Sequence, residues 1–260
     1  MTIRETAPAG APCWTDLWTS DVEGARRFYA DLLGWGAQEP DPSHGGYWMF
    51  TLGGTSVAGG MGPMGDGPDP SNSWTPYFAT DDIAKSTEVA GNLGAHVAVP
   101  AMPVDELGTQ AVLEDPTGAH LGFWQPGTFP GFTVLEEPGA PSWFELHVRD
   151  HATAVAFYSE VLGAEVIPVS DTDQFRYSLV RPAGAAQEVA GIMQDAGLLA
   201  PEETARWVVY WEVEDVAATL RRVEELGGTA HVGPDDTPYG VLGSASDPYG
   251  ARFNLRRSPR

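Results

Sequence analysis

A single cysteine, Cys13, stands in this chain of 260 residues, so no disulfide can form within it. Basic side chains are scarce too. Fourteen Lys and Arg face 36 Asp and Glu, a formal charge of −22. A surface of that sign repels phosphate backbones and anionic membranes, which argues against a nucleic-acid partner, and its plainest effect is solubility. No apolar run approaches the roughly 18 residues of a membrane helix. The opening MTIRETAPAGAP carries no apolar signal core. The expectation is a cytoplasmic protein with no membrane partner, its first dozen residues a loose arm. The glycine-rich GGTSVAGGMGPMG lacks the lysine and the strand-to-helix setting of a phosphate loop, so no nucleotide cofactor is implied.

What the chain does have is a hydrophobic share of 42%, ample for real cores, and the same passage written twice. CWTDLWTSDVEGARRFYADLLGW is repeated as SWFELHVRDHATAVAFYSEVLGA, with Trp14, Asp21 and Phe28-Tyr29 matched by Trp143, Asp150 and Phe157-Tyr158. Later, Asp115-Pro116 is matched by Asp247-Pro248. Each copy opens on an alternating run, WTDLWT or WFELHV, with the period of a strand. Asp21 and Asp150 then stand as N-caps, Val22, Ala25, Tyr29 and Leu32 recur at helical spacing, and Gly34 and Gly163 supply the stops. Short strands, an Asp-capped second helix and an Asp-Pro-x-Gly turn feeding a last strand complete each copy.

This order, βαβββ with an extra helix and closing strand, occurring twice, resembles the vicinal oxygen chelate superfamily, also called the glyoxalase/bleomycin-resistance/extradiol-dioxygenase group. The resemblance rests on SDVEGARRFYADLLGW with RDHATAVAFYSEVLG, and on EDPTGAHLGFW with SDPYGARFNL, and spans about residues 12–255. Within the group it looks most like the two-module culture-filtrate-antigen type, often labelled hydroxylase. It implies an α+β fold of two tandem βαβββ modules, 12–126 and 142–257, joined by a linker at 127–141. They would form a curved mixed sheet with helices on its outer face.

The resemblance also implies where a metal would sit. In metal-dependent members a His stands seven residues before the capping Asp, and a Glu seven after the Asp of the closing turn. Here those positions hold Trp14, Trp143, Gly122 and Asn254. An indole offers no lone pair to iron, zinc or manganese. The expectation is that the usual metal is lost, with no cofactor in its place. Rearranged sites pairing Asp16 with His120, or Glu145 with His147, are the alternative.

Side chains two apart share a strand face. Trp14, Asp16 and Trp18 therefore line one cavity wall, and Trp143, Glu145 and His147 the other. His120, Gly122 and Trp124 join from one closing strand, Arg252, Asn254 and Arg256 from the other, and Tyr77, Tyr210 and Glu212 from middle strands. Asp16 and Glu145 are the candidate acid-base pair, with His147 beside them, and they are expected to approach each other where the modules meet. An ion pair with Arg252 or Arg256 is the structural alternative. The remaining candidates, Trp14, Trp18, Tyr77, His120, Trp124, Trp143, Tyr210, Arg252 and Asn254, are expected to line a ligand pocket, with loops 62–73 and 194–206 as lids. Three functions fit: a metal-free protein that binds an aromatic natural product, a metal-free isomerase, cyclase or lyase, and a metal-dependent lyase or dioxygenase. The partner is a small molecule in each, and the chain a monomer or homodimer.

Overall fold

The computed structural model describes residues 2–63, 71–172, 175–195, 199 and 203–259, without the side chains of residues 2 and 3. The loops expected as lids fall largely on 64–70 and 196–202, which apart from Leu199 lie outside the described residues.

After β1 (Thr2–Ile3), the first half runs β2 (Pro12–Trp18), α1 (Val22–Leu33), β3 (Gly36–Ala37), β4 (Trp48–Leu52) and β5 (Thr55–Met61). It continues with β6 (Ser73–Ala79), α2 (Ile83–Asn92), β7 (His96–Val104), β8 (Gly108–Glu114) and β9 (His120–Pro126). The extra helix and closing strand are therefore a second full βαβββ unit. After β10 (Val134–Leu135) the second half repeats the plan: β11 (Pro141–Val148), α3 (His151–Val161), β12 (Ala164–Asp171), β13 (Arg176–Pro182) and β14 (Ala190–Gln194). Then come β15 (Arg206–Glu212), α4 (Val216–Glu225), β16 (Thr229–Thr237), β17 (Gly240–Ser246) and β18 (Arg252–Arg257).

Each half builds its own eight-stranded mixed sheet, ordered β3-β4-β5-β2-β6-β9-β8-β7 and β12-β13-β14-β11-β15-β18-β17-β16. The opening strands of two units lie antiparallel at the centre, β2 on β6 and β11 on β15, each flanked by the parallel closing strand of its unit. Among the described residues each of the four α-helices starts on the aspartate of its strand-to-helix turn: Asp21, Asp82, Asp150 and Asp215 accept the amides of Gly24, Lys85, Thr153 and Ala218. Such a cap contributes about 1 kcal/mol. Gly34 takes the left-handed conformation (φ 72°) that ends α1.

Pleat parity sorts each central strand into two faces. One face of β6, with Trp74 and Phe78, packs against the matching face of β15, with Trp207 and Trp211. Trp74 meets Trp211 at 5.1 Å, Trp35 meets Trp211 at 4.8 Å, and Phe78 meets Trp207 at 5.1 Å between ring centroids. The halves are bolted reciprocally across this core. Tyr29 of α1 donates to Asp247 (3.2 Å), and Tyr158 of α3 donates to Asp115 (2.7 Å). The repeated Phe-Tyr and Asp-Pro-x-Gly motifs are thus the joints between halves.

Two expectations need correction. The first residues are not a loose arm, because β1 pairs with β10, Arg4 bonds the carbonyls of Thr133 and Pro12, and Gly10 donates to Ala79. The segment 127–141 is more than a spacer: Phe132 donates its amide to the Cys13 carbonyl (2.7 Å), and its ring is buried. Among the described residues no helix is long and apolar enough to cross a membrane.

Candidate functional site

Since Trp74 and Trp207 occupy the interface face, their strand neighbours Thr75, Tyr77, Val208 and Tyr210 point the other way. Asp16 stands opposite Thr75, and Glu145 opposite Val208. Each carboxylate therefore lies on the face of its own sheet turned away from the other half. The expected meeting of Asp16 and Glu145 does not occur, because the interface is built from the opposite parity. Among the described residues neither carboxylate pairs with arginine: Arg252 lies 3.4 Å from Glu203, and Arg256 donates to the carbonyls of Tyr239 and Ser142.

In the first cup Asp16 accepts from Tyr47 (2.9 Å) and from the Trp14 indole (3.0 Å), and Tyr77 also hydrogen-bonds it. The indole lies 2.9 Å from the Tyr47 hydroxyl as well. Burial pushes the Asp16 carboxyl up to about 6, against the opposing pull of Tyr47, Tyr77 and Trp14. Trp18 is only partly buried, and His120 is exposed at the start of β9, outside the cup that its parity suggested.

The second cup repeats the plan with different chemistry. Glu145 accepts from Tyr210 (2.8 Å) and lies 2.9 Å from Nε2 of His147, and Tyr177 hydrogen-bonds it too. Nδ1 of His147 lies 3.3 Å from Asp195. Burial works to lower the His147 imidazole, but hydrogen bonds to Asp195 and Glu145 outweigh it and raise the pKa. Burial works to raise Glu145, yet His147, Tyr210 and Tyr177 hold it below its ordinary value. The imidazole thus lies between two carboxylates, hydrogen-bonded to Glu145 through Nε2 and within ion-pair distance of Asp195 through Nδ1. Asn254 hydrogen-bonds Tyr210, while Arg252 stays at the strand end.

Reading by parity missed Tyr47, Tyr177 and Asp195. A signal was present in the repeated VAGG and VAGI. A Cβ on Gly59 would strike the Tyr47 hydroxyl and Asp16, and one on Gly191 the Tyr177 hydroxyl. The bare glycines let each tyrosine reach over its carboxylate.

The cups differ at the mouth. Trp14 is only 5% exposed because linker rings cover it, Phe129 edge-on at 4.9 Å and Phe132 at 5.3 Å. Trp124 is buried beneath the same segment and donates to the Phe129 carbonyl (2.9 Å). Trp143 is only partly buried, donates to Tyr177 (3.3 Å), and carries no aromatic ring packed on it among the described residues. Phe175, 45% exposed, stacks on Tyr177 at 5.8 Å, and Tyr239 is 56% exposed near by.

A cleft of about 830 Å³ lies beside the start of α3, lined by Arg149, His151, Arg176 and Gln194. Arg176 and Gln194 share the parity of Ser178 and Ile192, the helix side of the sheet. This cleft is therefore separate from the cup.

A model described as Glyoxalase-like domain matches residues 14–123, and one described as Glyoxalase/Bleomycin resistance protein/Dioxygenase superfamily matches 140–255. The anthracycline biosynthesis protein DauV of Streptomyces sp. (strain C5) is 35% identical over 95% of this chain and 92% of its own. The chain belongs to the glyoxalase/bleomycin resistance protein/dioxygenase superfamily. CFP32 of Mycobacterium bovis, another relative, is 34% identical over 98% of this chain and 97% of its own. Among solved structures, the 2,3-dioxygenase LapB from Pseudomonas sp. KL28 shares the fold, with a TM-score of 0.65 at 17% identity over 96% of this chain and 92% of that one.

At the superfamily's metal positions this chain has no fitting donors. The Trp14 indole is a hydrogen-bond donor to Asp16 and Tyr47, and the Trp143 indole to Tyr177. The ring of Tyr77 fills the space that a side chain at Gly122 would need, and Asn254 is engaged by Tyr210. Of the rearranged pairs, Asp16 and His120 are not brought together. Glu145 and His147 are bonded to each other. Among the described residues no group of three or more His, Cys, Asp or Glu is placed to hold a metal ion. Cys13 is buried and bonded to the Tyr77 carbonyl, its thiol pushed up to about 12 by burial, which leaves it unreactive.

Proposed function

We propose that the protein binds a planar aromatic small molecule in the second cup, without a metal. One observation carries the reading: of two equivalent boxes of tryptophan, carboxylate and tyrosines, the second has a partly buried indole on which no ring packs among the described residues, with exposed Phe175 and Tyr239 beside its Tyr177. Stacking and apolar burial would supply affinity, with Tyr210, Asn254 and the Glu145 network selecting orientation. DauV, named for anthracycline biosynthesis, supports a polycyclic aromatic product of secondary metabolism as the ligand class. The test is titration of chelator-stripped protein with 1,2-dihydroxyanthraquinone, followed by tryptophan quenching. Trp143→Ala should weaken binding at least tenfold, and Trp14→Ala should leave it unchanged. Equal loss in both variants, or binding only when metal is restored, would overturn the reading.

The Glu145, His147 and Asp195 chain favours a second reading, a metal-free acid-base enzyme in the same cup. There Glu145 and His147 exchange a proton with a bound phenol or enol and Asp195 holds the imidazole. Asp16, enclosed in the other cup, has no part in it. If this reading holds, the bound anthraquinone's colour reports a shifted phenol ionisation that disappears in Glu145→Gln.

A further inference from the structure

We infer that the first cup is a second aromatic binding site, occupied in the resting protein by the chain's own Phe129. The inference rests on the reading of the second cup for its ligand class. The pocket walls recur one for one: Trp14 with Trp143, Asp16 with Glu145, Tyr47 with Tyr177, Tyr77 with Tyr210, and Gly59 with Gly191. A surface that presents an indole edge and a buried carboxylate under two tyrosines in one half presents the same groups in the other.

What differs is the occupant. Phe129 stands edge-on over Trp14 at 4.9 Å, with Trp124 6.1 Å away on its other side. That is the contact an aromatic ligand would make with an open indole. Phe129 is held there by a strap. The amides of Gly127 and Phe129 donate to the Leu107 carbonyl (2.8 and 3.1 Å), and Thr128 donates to Glu106 (2.9 Å). The β7–β8 turn carrying those carbonyls is fixed in turn, because His44 lies 2.9 Å from Asp105 and 2.8 Å from Asp41. The backbone fixes the strap, while the Phe129 ring covers the edge of Trp14 that the buried Phe132 leaves free. Removing the Phe129 ring should therefore open that edge of the pocket without releasing the strap.

The experiment is equilibrium titration of 1,2-dihydroxyanthraquinone into wild type and Phe129→Ala, with stoichiometry read by calorimetry and folding checked by thermal melting. Wild type should bind one equivalent and Phe129→Ala two. Adding Trp143→Ala to Phe129→Ala should remove one of the two and leave the new one. A folded Phe129→Ala that takes no more equivalents than wild type overturns the inference. A wild type that binds none while Phe129→Ala binds one overturns only the reading of the second cup. If the alanine variant does not fold, Phe129→Val, a milder truncation titrated with the smaller 2-naphthol, separates the same outcomes.

Discussion

Asp16→Asn isolates what the first cup costs the fold. The Asp16 carboxyl rises from its ordinary 3.8 to about 6 on burial. A group raised on folding leaves the protein most stable below its unfolded pKa, and that stability is lost as pH climbs through the folded value. A rise of about two pH units at about 1.4 kcal/mol each amounts to about 3 kcal/mol by pH 7.5. Asparagine keeps the oxygen that accepts from Tyr47 and Trp14, and its amide can donate to the Tyr77 hydroxyl, so the variant retains the contacts without the charge. Denaturant melts of both proteins from pH 4 to 8 are the assay. The variant should gain on wild type across pH 4–6.5 and lead by up to about 3 kcal/mol above it. Parallel curves would refute the argument, because they would mean that Asp16 is solvated in the folded state or ionised at no cost.

Two further outcomes follow from the second half and the interface. Asp195→Asn should lower the His147 pKa, read by ring-proton titration. It should also flatten the loss of wild-type stability as pH rises through the raised His147 value, since a raised histidine stabilises below its unfolded pKa and ceases to above its folded one. Tyr158→Phe leaves Asp115 and the Trp207 indole each short of a partner and should cost about 1.5–3 kcal/mol in chemical denaturation, with probe binding unchanged.

The duplication, the four capping aspartates and the two carboxylates beneath their tryptophans were legible because each depends on spacing along the chain. Strand parity named Trp14, Asp16, Tyr77 and their counterparts as one face, and they are one face. It could not say which face meets the other half. Both faces of β6 and β15 carry large aromatics, and Trp74 and Trp211 rather than Tyr77 and Tyr210 form the interface. Tyr47, just before β4, and Tyr177, on β13, reach their carboxylates across an intervening strand at its bare glycine, a contact set by pairing rather than by sequence distance. Phe129 looked like linker because its environment is created by Trp14 and Trp124, residues far from it along the chain or brought round by a turn.

The reciprocal joints of Tyr29 with Asp247 and Tyr158 with Asp115 have the form of a two-fold dimer whose subunits have been fused: each half gives one tyrosine and receives one. In such an arrangement the covalent connection supplies effective concentration rather than recognition. Cutting the backbone beside exposed Glu136 would leave every joint in place. The two halves are also free to diverge in their cups, because the tyrosine–aspartate joints and the tryptophan core of the seam share no residue with either carboxylate network.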